Sequence, residues 1–257
     1  MSERASLPGE DEMRAFLLRF IQGAQRTEPV AVPPANRLDF VVLFGLIQRV
    51  RRLAQAYLQL ERSGHVSEGT LLVRSALEHA ATAQWAYLTP GGIGRLQVKL
   101  AQAQADLANH VSDSSSEGVE WAKTAQRATV AIPLGPGLPP VSGKDGILKE
   151  LDEDSFLVVS YRVLSQVGHV THRAPLDFIT NVNGELQLRF EPEMREQQHI
   201  LYALTGFCML SAWLLARLEH DDRELRALRE LGARLRVPWR LDTHLPRERR
   251  RFPDEVD

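Results

Sequence analysis

The chain has 257 residues, of which 44% are hydrophobic and 25% are charged, and its net charge at pH 7 is −2. These proportions are typical of a globular protein with a sizeable core. The near-neutral charge excludes a general electrostatic attraction to nucleic acids or to anionic membranes. The single cysteine, Cys208, excludes an intrachain disulfide and fits a reducing compartment. Because it lies in an apolar run, we interpret it as a buried, unreactive thiol.

The first half of the chain has apolar residues at helical spacing. They predict four helices, over residues 10–26, 38–62, 67–88 and 93–110. The proline-rich stretch EPVAVPPAN ends the first helix, and Ser63-Gly64 ends the second. Ser67 is expected to cap the third. The fourth is polar with a narrow apolar stripe, which suits packing along one side of a bundle.

The second half of the chain is less regular. It predicts a short helix over residues 119–131, a proline- and glycine-rich connection over 132–146, a helical turn over 147–151 and a firmer helix over 155–167. The spacing of apolar residues then changes to every second residue, as in a β-strand. Residues 176–180 and 185–190 flank the turn sequence NVNG and predict a β-hairpin. Two further helices follow, over residues 193–218 and 221–235.

Residues 200–215 form an apolar run without a charge. A membrane-spanning helix needs about 20 apolar residues, and this shorter run includes Tyr202, Thr205 and Ser211. We therefore interpret it as the central buried helix of a bundle. The acidic N-terminus does not fit a signal peptide. These features predict a cytoplasmic protein without a membrane contact.

The pattern as a whole predicts an all-α fold, an up-and-down helical bundle with one small β-hairpin insertion. Residues 1–235 are expected to form a single helical domain, with the hairpin near residues 176–190. Residues 236–257 are expected to form an arginine-rich C-terminal tail. We interpret this tail as solvated, with a secondary contact to RNA as the alternative.

The helix over residues 67–88 carries Arg74, Glu78 and His79 in an otherwise apolar stretch. Buried charges are costly unless they are paired or used. Arg74 and Glu78 are four residues apart and so lie within reach of a salt bridge. Two interpretations stay open. In one, the pair only fixes the helix register; in the other, Arg74 binds an anion or phosphate and Glu78 orients it.

A second polar group, Ser165, His169 and His172, follows on the helix over residues 155–167 and at its end. Histidines there usually contact helix carbonyls. Two alternatives have no supporting motif. One is a metal site made of Glu78, His79, His169 and His172, and the other is a nucleophilic Ser165 activated by His169. We expect neither a metal nor a cofactor.

Arg74 and His79 form an Arg-x4-His motif, through which residues 38–110 resemble the HEPN superfamily of small bacterial helical proteins. Many members are metal-independent ribonucleases in which this motif meets its copy across a dimer interface. The resemblance implies that Arg74 would stabilise a charged transition state and that His79 would assist proton transfer near a 2′-hydroxyl. It also implies a homodimer acting on RNA. Five residues rotate by roughly 140° on a helix, so the two side chains do not share a face.

A second pattern is similar to uncharacterised bacterial helical families. Its first part, Leu-x-Arg-Ser-x2-Glu, matches Leu72, Arg74, Ser75 and Glu78; its second part, Tyr-x3-Ser-x3-His, matches Tyr161, Ser165 and His169. No activity is implied by this resemblance. It does imply that Arg74, Glu78, Ser165 and His169 converge in one polar pocket.

The predicted site follows from these two patterns. Its candidate catalytic residues are Arg74, Glu78, His79 and His169, and its candidate ligand-binding residues are Arg74, Ser165, His169 and His172. Three functions stay open. The first is a bacterial helical protein, in defence or stress response, whose pocket binds RNA or another anionic ligand. The second is a HEPN-like endoribonuclease dimer, and the third a non-enzymatic interaction module.

Overall fold

The computed structural model of the chain describes residues 9–23, 37–112, 123, 144–151, 156–168, 178–190, 192 and 197–241. Within these residues the chain forms eight helices and one two-stranded sheet, and 83% of the residues are helical. This confirms the predicted all-α bundle with one small hairpin. The predicted helix over residues 119–131, apart from Lys123, and most of the connection over 132–146 lie outside the described residues.

The helices are named in chain order. They are α1 (Glu10–Gln22), α2 (Arg37–Arg62), α3 (Val66–Leu88), α4 (Gly92–Ser112), α5 (Lys144–Leu151), α6 (Phe156–Gly168), α7 (Gln197–Glu219) and α8 (Asp222–Leu235). The strands β1 (Ile179–Val182) and β2 (Glu185–Leu188) lie between α6 and α7. Each described element therefore lies within a few residues of a predicted one.

The core of the bundle forms around α3 and α7. Helix α3 packs against α2, α4, α5, α6 and α7, and α7 packs in addition against α1, α2 and α8. Both helices are apolar on nearly all sides, so they are stable only when neighbours surround them. A hydrogen bond from Gln84 Nε2 to the Leu210 carbonyl oxygen, 2.7 Å long, joins the two helices inside the core.

Helix α7 contains the predicted apolar run. It is long and apolar enough to cross a membrane, but 83% of its most apolar 18-residue stretch is buried inside the protein. Leu204, Phe207, Cys208 and Leu210 have no exposed surface. The interpretation of this run as the central buried helix is therefore confirmed.

The start of α3 differs from the prediction. The residue before the helix is His65, whose side chain makes no capping hydrogen bond, and the helix begins at Val66. The expectation that Ser67 caps α3 is therefore wrong, because Ser67 already lies in the first turn. The turn of α2 into α3 is tight instead: the His65 amide donates to the Leu60 carbonyl oxygen at 2.8 Å.

The hairpin has a shorter turn than NVNG predicts. Val182 pairs with Glu185, so only Asn183 and Gly184 form the loop. Their φ angles are 54° and 89°, as a type I′ turn requires, and such a turn matches the twist of two antiparallel strands. Asn181 and Val182 are consequently part of β1.

The bundle continues past the predicted domain boundary at residue 235. Val237 and Leu241 are buried against the core, and the Tyr202 hydroxyl donates to the Arg236 carbonyl oxygen. The alternating apolar residues of VPWRL cause this difference, because they bury side chains that a solvated tail would leave in water. The rest of the predicted tail, residues 242–257, lies outside the described residues.

Candidate functional site

Arg74 on α3 and Tyr161 on α6 make the contact that joins the two polar segments of the sequence. Arg74 Nη2 donates a hydrogen bond of 3.2 Å to the Tyr161 hydroxyl, and the guanidinium carbon lies 5.1 Å from the centroid of the Tyr161 ring. Arg74 Nε lies 3.6 Å from Glu78 Oε1. We call Arg74, Glu78 and Tyr161 the Arg74 cluster.

The Arg74 cluster is partly buried. The side chains of Arg74 and Glu78 are 17% and 23% exposed. In such a setting a guanidinium attracts opposite charge more strongly than on an open surface, because less water screens it. The ion pair predicted from the four-residue spacing is therefore present, and a solute can still reach it.

A small cleft adjoins the Arg74 cluster. It has a volume of about 210 Å³ and is lined by Glu78, His79, Thr82 and Tyr161 together with apolar residues of α2, α3, α4 and α5. His79 Nδ1 lies 2.7 Å from the Ser75 carbonyl oxygen. Because a carbonyl only accepts, Nδ1 carries the proton, and in the neutral ring Nε2 has the lone pair.

Arg74 and His79 face different neighbours, as their spacing on a regular helix predicts. Arg74 contacts α6 through Tyr161, whereas His79 lines the cleft that α4 and α5 help to form. Tyr161 accepts a hydrogen bond from Arg74 and also lines the cleft that contains His79. The tyrosine is thus the residue that links the motif on α3 to α6.

Among the other predicted site residues, the structure describes Ser165 but not His169 or His172. The Ser165 hydroxyl donates to the Tyr161 carbonyl oxygen at 2.6 Å, one turn earlier on the same helix. This bond is typical of a serine within a helix, and it reaches the backbone of Tyr161 rather than a side chain of the Arg74 cluster. His169 and His172 lie outside the described residues, so their convergence with Arg74 stays a prediction.

Cys208 is not part of the Arg74 cluster. Its side chain is fully buried in α7, and burial raises the pKa of the thiol well above its usual range. The thiolate is the reactive form of cysteine. Its burial agrees with the interpretation of Cys208 as a structural residue.

Two buried charged residues of α2 were not singled out from the sequence. Glu61 accepts hydrogen bonds from Arg14 and Tyr57, and from Gln197 at 3.2 Å, whereas Arg51 lines a second cavity. The available signal is their position on the apolar stripe of α2. Arg51 comes four residues after Ile47, and Glu61 comes four residues after Tyr57. A charge at such a position is buried when the helix packs.

Among the described residues, no group of three or more His, Cys, Asp and Glu side chains is placed to hold a metal ion. The chain matches no protein-family model, no curated protein and no solved structure.

Proposed function

We propose that this protein binds an anionic, phosphate-bearing ligand, such as RNA, at the Arg74 cluster. The observation that carries the proposal is the contact of Arg74 with Tyr161 across α3 and α6. A guanidinium has five N–H donors in a planar fork that fits a phosphate or a carboxylate. Glu78 and Tyr161 fix the orientation of this fork before a ligand arrives, which lowers the entropy lost on binding.

A purely structural role for the ion pair is the competing interpretation. Such a pair often contributes little net stability, because removing two charges from water offsets their attraction. The partial exposure of Arg74 and Glu78 and the adjoining cleft favour a binding role, since a pair that only fixes the packing of helices needs neither.

The second candidate function is RNA cleavage. The tautomer set by Ser75 leaves the lone pair of His79 on Nε2, and His79 and Glu78 line the same cleft. An imidazole with that lone pair can accept the proton of a 2′-hydroxyl, while a nearby guanidinium stabilises developing negative charge. Since Arg74 and His79 face different neighbours in one chain, we propose that this activity needs a homodimer.

The binding proposal is tested by fluorescence anisotropy with a labelled, mixed-sequence single-stranded RNA and with inorganic phosphate as the competitor. Arg74→Ala should weaken RNA binding by about 10-fold or more, because a hydrogen bond to a charged group contributes roughly 1.5–3 kcal/mol. The matched control is Arg162→Ala on α6, which removes the same charge from an exposed position next to Tyr161.

Equal weakening by Arg74→Ala and Arg162→Ala would contradict the proposal, because it would show only a general electrostatic attraction. Unchanged binding in a folded Arg74→Ala variant would also contradict it. If Arg74→Ala does not fold, Tyr161→Phe removes the hydroxyl that accepts from Arg74. It should weaken binding by about 3-fold or more, because the guanidinium loses one of the contacts that orient it before binding.

RNA cleavage has its own test. Cleavage of the same RNA should persist in EDTA, disappear in His79→Ala and require a dimer detected by light scattering. His110→Ala is the control, because His110 lies on an exposed face of α4 and bonds to its own helix through Asp106. Cleavage that needs a metal ion, or that survives His79→Ala, would exclude this mechanism.

A cytoplasmic location is part of the proposal. It is supported by the single, buried cysteine and by the burial of α7 inside the bundle. A role in defence or stress response is supported only by the resemblance of the Arg-x4-His motif, and it would be tested by the toxicity of the protein on expression, with Arg74→Ala as the inactive comparison.

A further inference from the structure

A second, larger cavity lies among α1, α2, α7 and α8. Its volume is about 590 Å³, whereas the cleft beside the Arg74 cluster has about 210 Å³. Sites for small organic molecules usually have roughly 300–1,000 Å³. The larger cavity therefore has the size of a small-molecule site, and the cleft does not.

The walls of this cavity are mainly apolar and aromatic. Phe16 and Phe20 come from α1, Phe44 from α2, Leu215 from α7 and Leu228 from α8. Apolar walls favour a ligand with an apolar body, because each Å² of apolar surface removed from water contributes roughly 25 cal/mol.

Arg51 is the buried charged residue among the side chains that line the cavity, and it is 6% exposed. Its guanidinium carbon lies 4.8 Å from the centroid of the Phe20 ring. A Cβ added at Gly23 would lie 3.5 Å from Arg51 Nη2, so the guanidinium also lies against the C-terminal end of α1. Both neighbours stabilise a cation, the ring through its face and the helix through its dipole.

The other charged residues of the cavity are less buried. Arg19, Arg223 and Glu224 are exposed, and Glu219 and Asp221 are half-buried. Asp221 caps α8 by accepting from the Glu224 amide at 3.0 Å. The opening is consequently of mixed charge, whereas Arg51 is the charged residue at the buried wall. A guanidinium has five N–H donors, so it can contact protein groups and a ligand at the same time.

We propose that this cavity binds a small amphipathic carboxylate, with the carboxylate at Arg51 and the apolar body against the phenylalanine walls. The cavity is separate from the Arg74 cluster, and the proposal does not depend on the function proposed there. Arg51 would bind the carboxylate of the ligand, and this role would account for an arginine on the apolar stripe of α2.

The test compares two ligands of equal length by isothermal titration calorimetry on the full chain. Decanoate should bind saturably, and 1-decanol, which has no negative charge, should bind at least 10-fold more weakly. Naphthoate serves as a second carboxylate with an aromatic body. Absence of saturable binding for both decanoate and naphthoate would overturn the proposal.

Variants locate the site. Ala227→Trp places a large side chain at the exposed edge of the cavity on α8, and it should weaken decanoate binding at least 10-fold. Ala233→Trp makes the same change on an exposed position of α8 that does not line the cavity, and it should leave binding unchanged. Equal affinity in Ala227→Trp and the wild type would overturn the proposal.

Arg51→Gln tests the role of the guanidinium. It should remove the preference for decanoate over 1-decanol while 1-decanol binding stays within 2-fold of the wild type. A preserved preference would contradict the assigned role of Arg51. If this variant does not fold, the pair of ligands and the two tryptophan variants still decide the proposal.

Discussion

Glu61 is the buried carboxylate of the described part of the chain, and it accepts several hydrogen bonds. Arg14 donates to both of its oxygens, and Tyr57 and Gln197 donate to Oε1 at 3.4 and 3.2 Å. The Glu61 side chain is only 4% exposed. It thereby joins α1, α2 and the beginning of α7 through one group, and its loss leaves several donors without their acceptor.

Glu61→Gln should destabilise the protein. The substitution keeps the shape of the side chain but removes the charge that faces Arg14, and we expect a loss of about 2 kcal/mol in the free energy of unfolding, less than for a fully buried pair. Urea denaturation measures it. Glu10→Gln is the control, because Glu10 is 48% exposed and surface ion pairs contribute at most about 1 kcal/mol. Equal losses would contradict the role of Glu61.

Tyr57 gives a prediction about pH. Its side chain is fully buried, and burial, together with the charge of Glu61, raises the pKa of the phenol well above its usual range. The unfolded chain releases this proton near pH 10 while the folded chain keeps it, so stability is fully present below about pH 10 and falls as the pH rises further.

The measurement is thermal unfolding between about pH 8 and pH 11. The melting temperature of the wild type should fall more steeply above pH 10 than that of Tyr57→Phe, which has no proton to release there. Parallel curves for the two proteins would show that Tyr57 does not carry this dependence.

Residue-level contacts were only partly predictable. The ion pair of Arg74 with Glu78 follows from helical spacing, because both residues lie on one helix. Arg51 and Glu61 were not singled out, although their positions on the apolar stripe of α2 indicate burial. Their partners on α1 and α7 depend on how helices distant in sequence pack together, and no local pattern contains that information.

At the scale of elements, the connection between α3 and α4 has a strict requirement at Gly92. A Cβ built on Gly92 would lie 2.6 Å from the Ala86 carbonyl oxygen, which belongs to the backbone of α3. The sequence TPGG between the two helices favours a turn. The close approach that excludes a side chain at Gly92 becomes visible only when both helices are in place.

Gly92→Ala and Gly94→Ala should have opposite effects. Gly92→Ala forces α3 and α4 apart and should cost about 2 kcal/mol, as overpacking in a tight site usually does. Gly94→Ala adds a side chain where nothing lies within 4 Å, and should stabilise α4 by roughly 0.5 kcal/mol through helix propensity. Chemical denaturation of both variants measures the difference, and equal effects would contradict the close approach at Gly92.

The elements themselves were largely predictable because their signals are local. Helical periodicity gave the helices within a few residues, and the Asn183-Gly184 dipeptide gave the hairpin. The start of α3 was missed because serine is a frequent capping residue, which made Ser67 the expected cap. The tight turn between α2 and α3 begins the helix one residue earlier, at Val66. The buried segment after α8 was missed because the arginines around it dominated its composition.

At the scale of the whole molecule, stability should be concentrated in the α3–α7 core and low in the hairpin. Phe207 has no exposed surface, whereas Leu188 is 85% exposed. Phe207→Ala should therefore cost about 3–5 kcal/mol, and Leu188→Ala should stay within about 0.5 kcal/mol of the wild type. Urea denaturation measures both. A large cost for Leu188→Ala would show that a partner or another part of the chain covers the hairpin.

Neither of the two cavities could be predicted from the sequence. Composition and periodicity predict a bundle, but cavities arise where side chains from four helices fail to fill the space between them. The cavity at Arg51 is such a place, since its lining residues come from α1, α2, α7 and α8. Its volume follows from tertiary packing alone.

The burial of the single cysteine has a practical consequence for experiments on this protein. A reagent such as dithionitrobenzoate reacts only after the middle of α7 becomes accessible, so its absorbance change reports the opening rate of the bundle without an introduced label. In excess reagent the folded wild type should react far more slowly than the protein in denaturant. Rapid reaction of the native protein would mean that α7 opens by itself while the rest of the bundle stays intact.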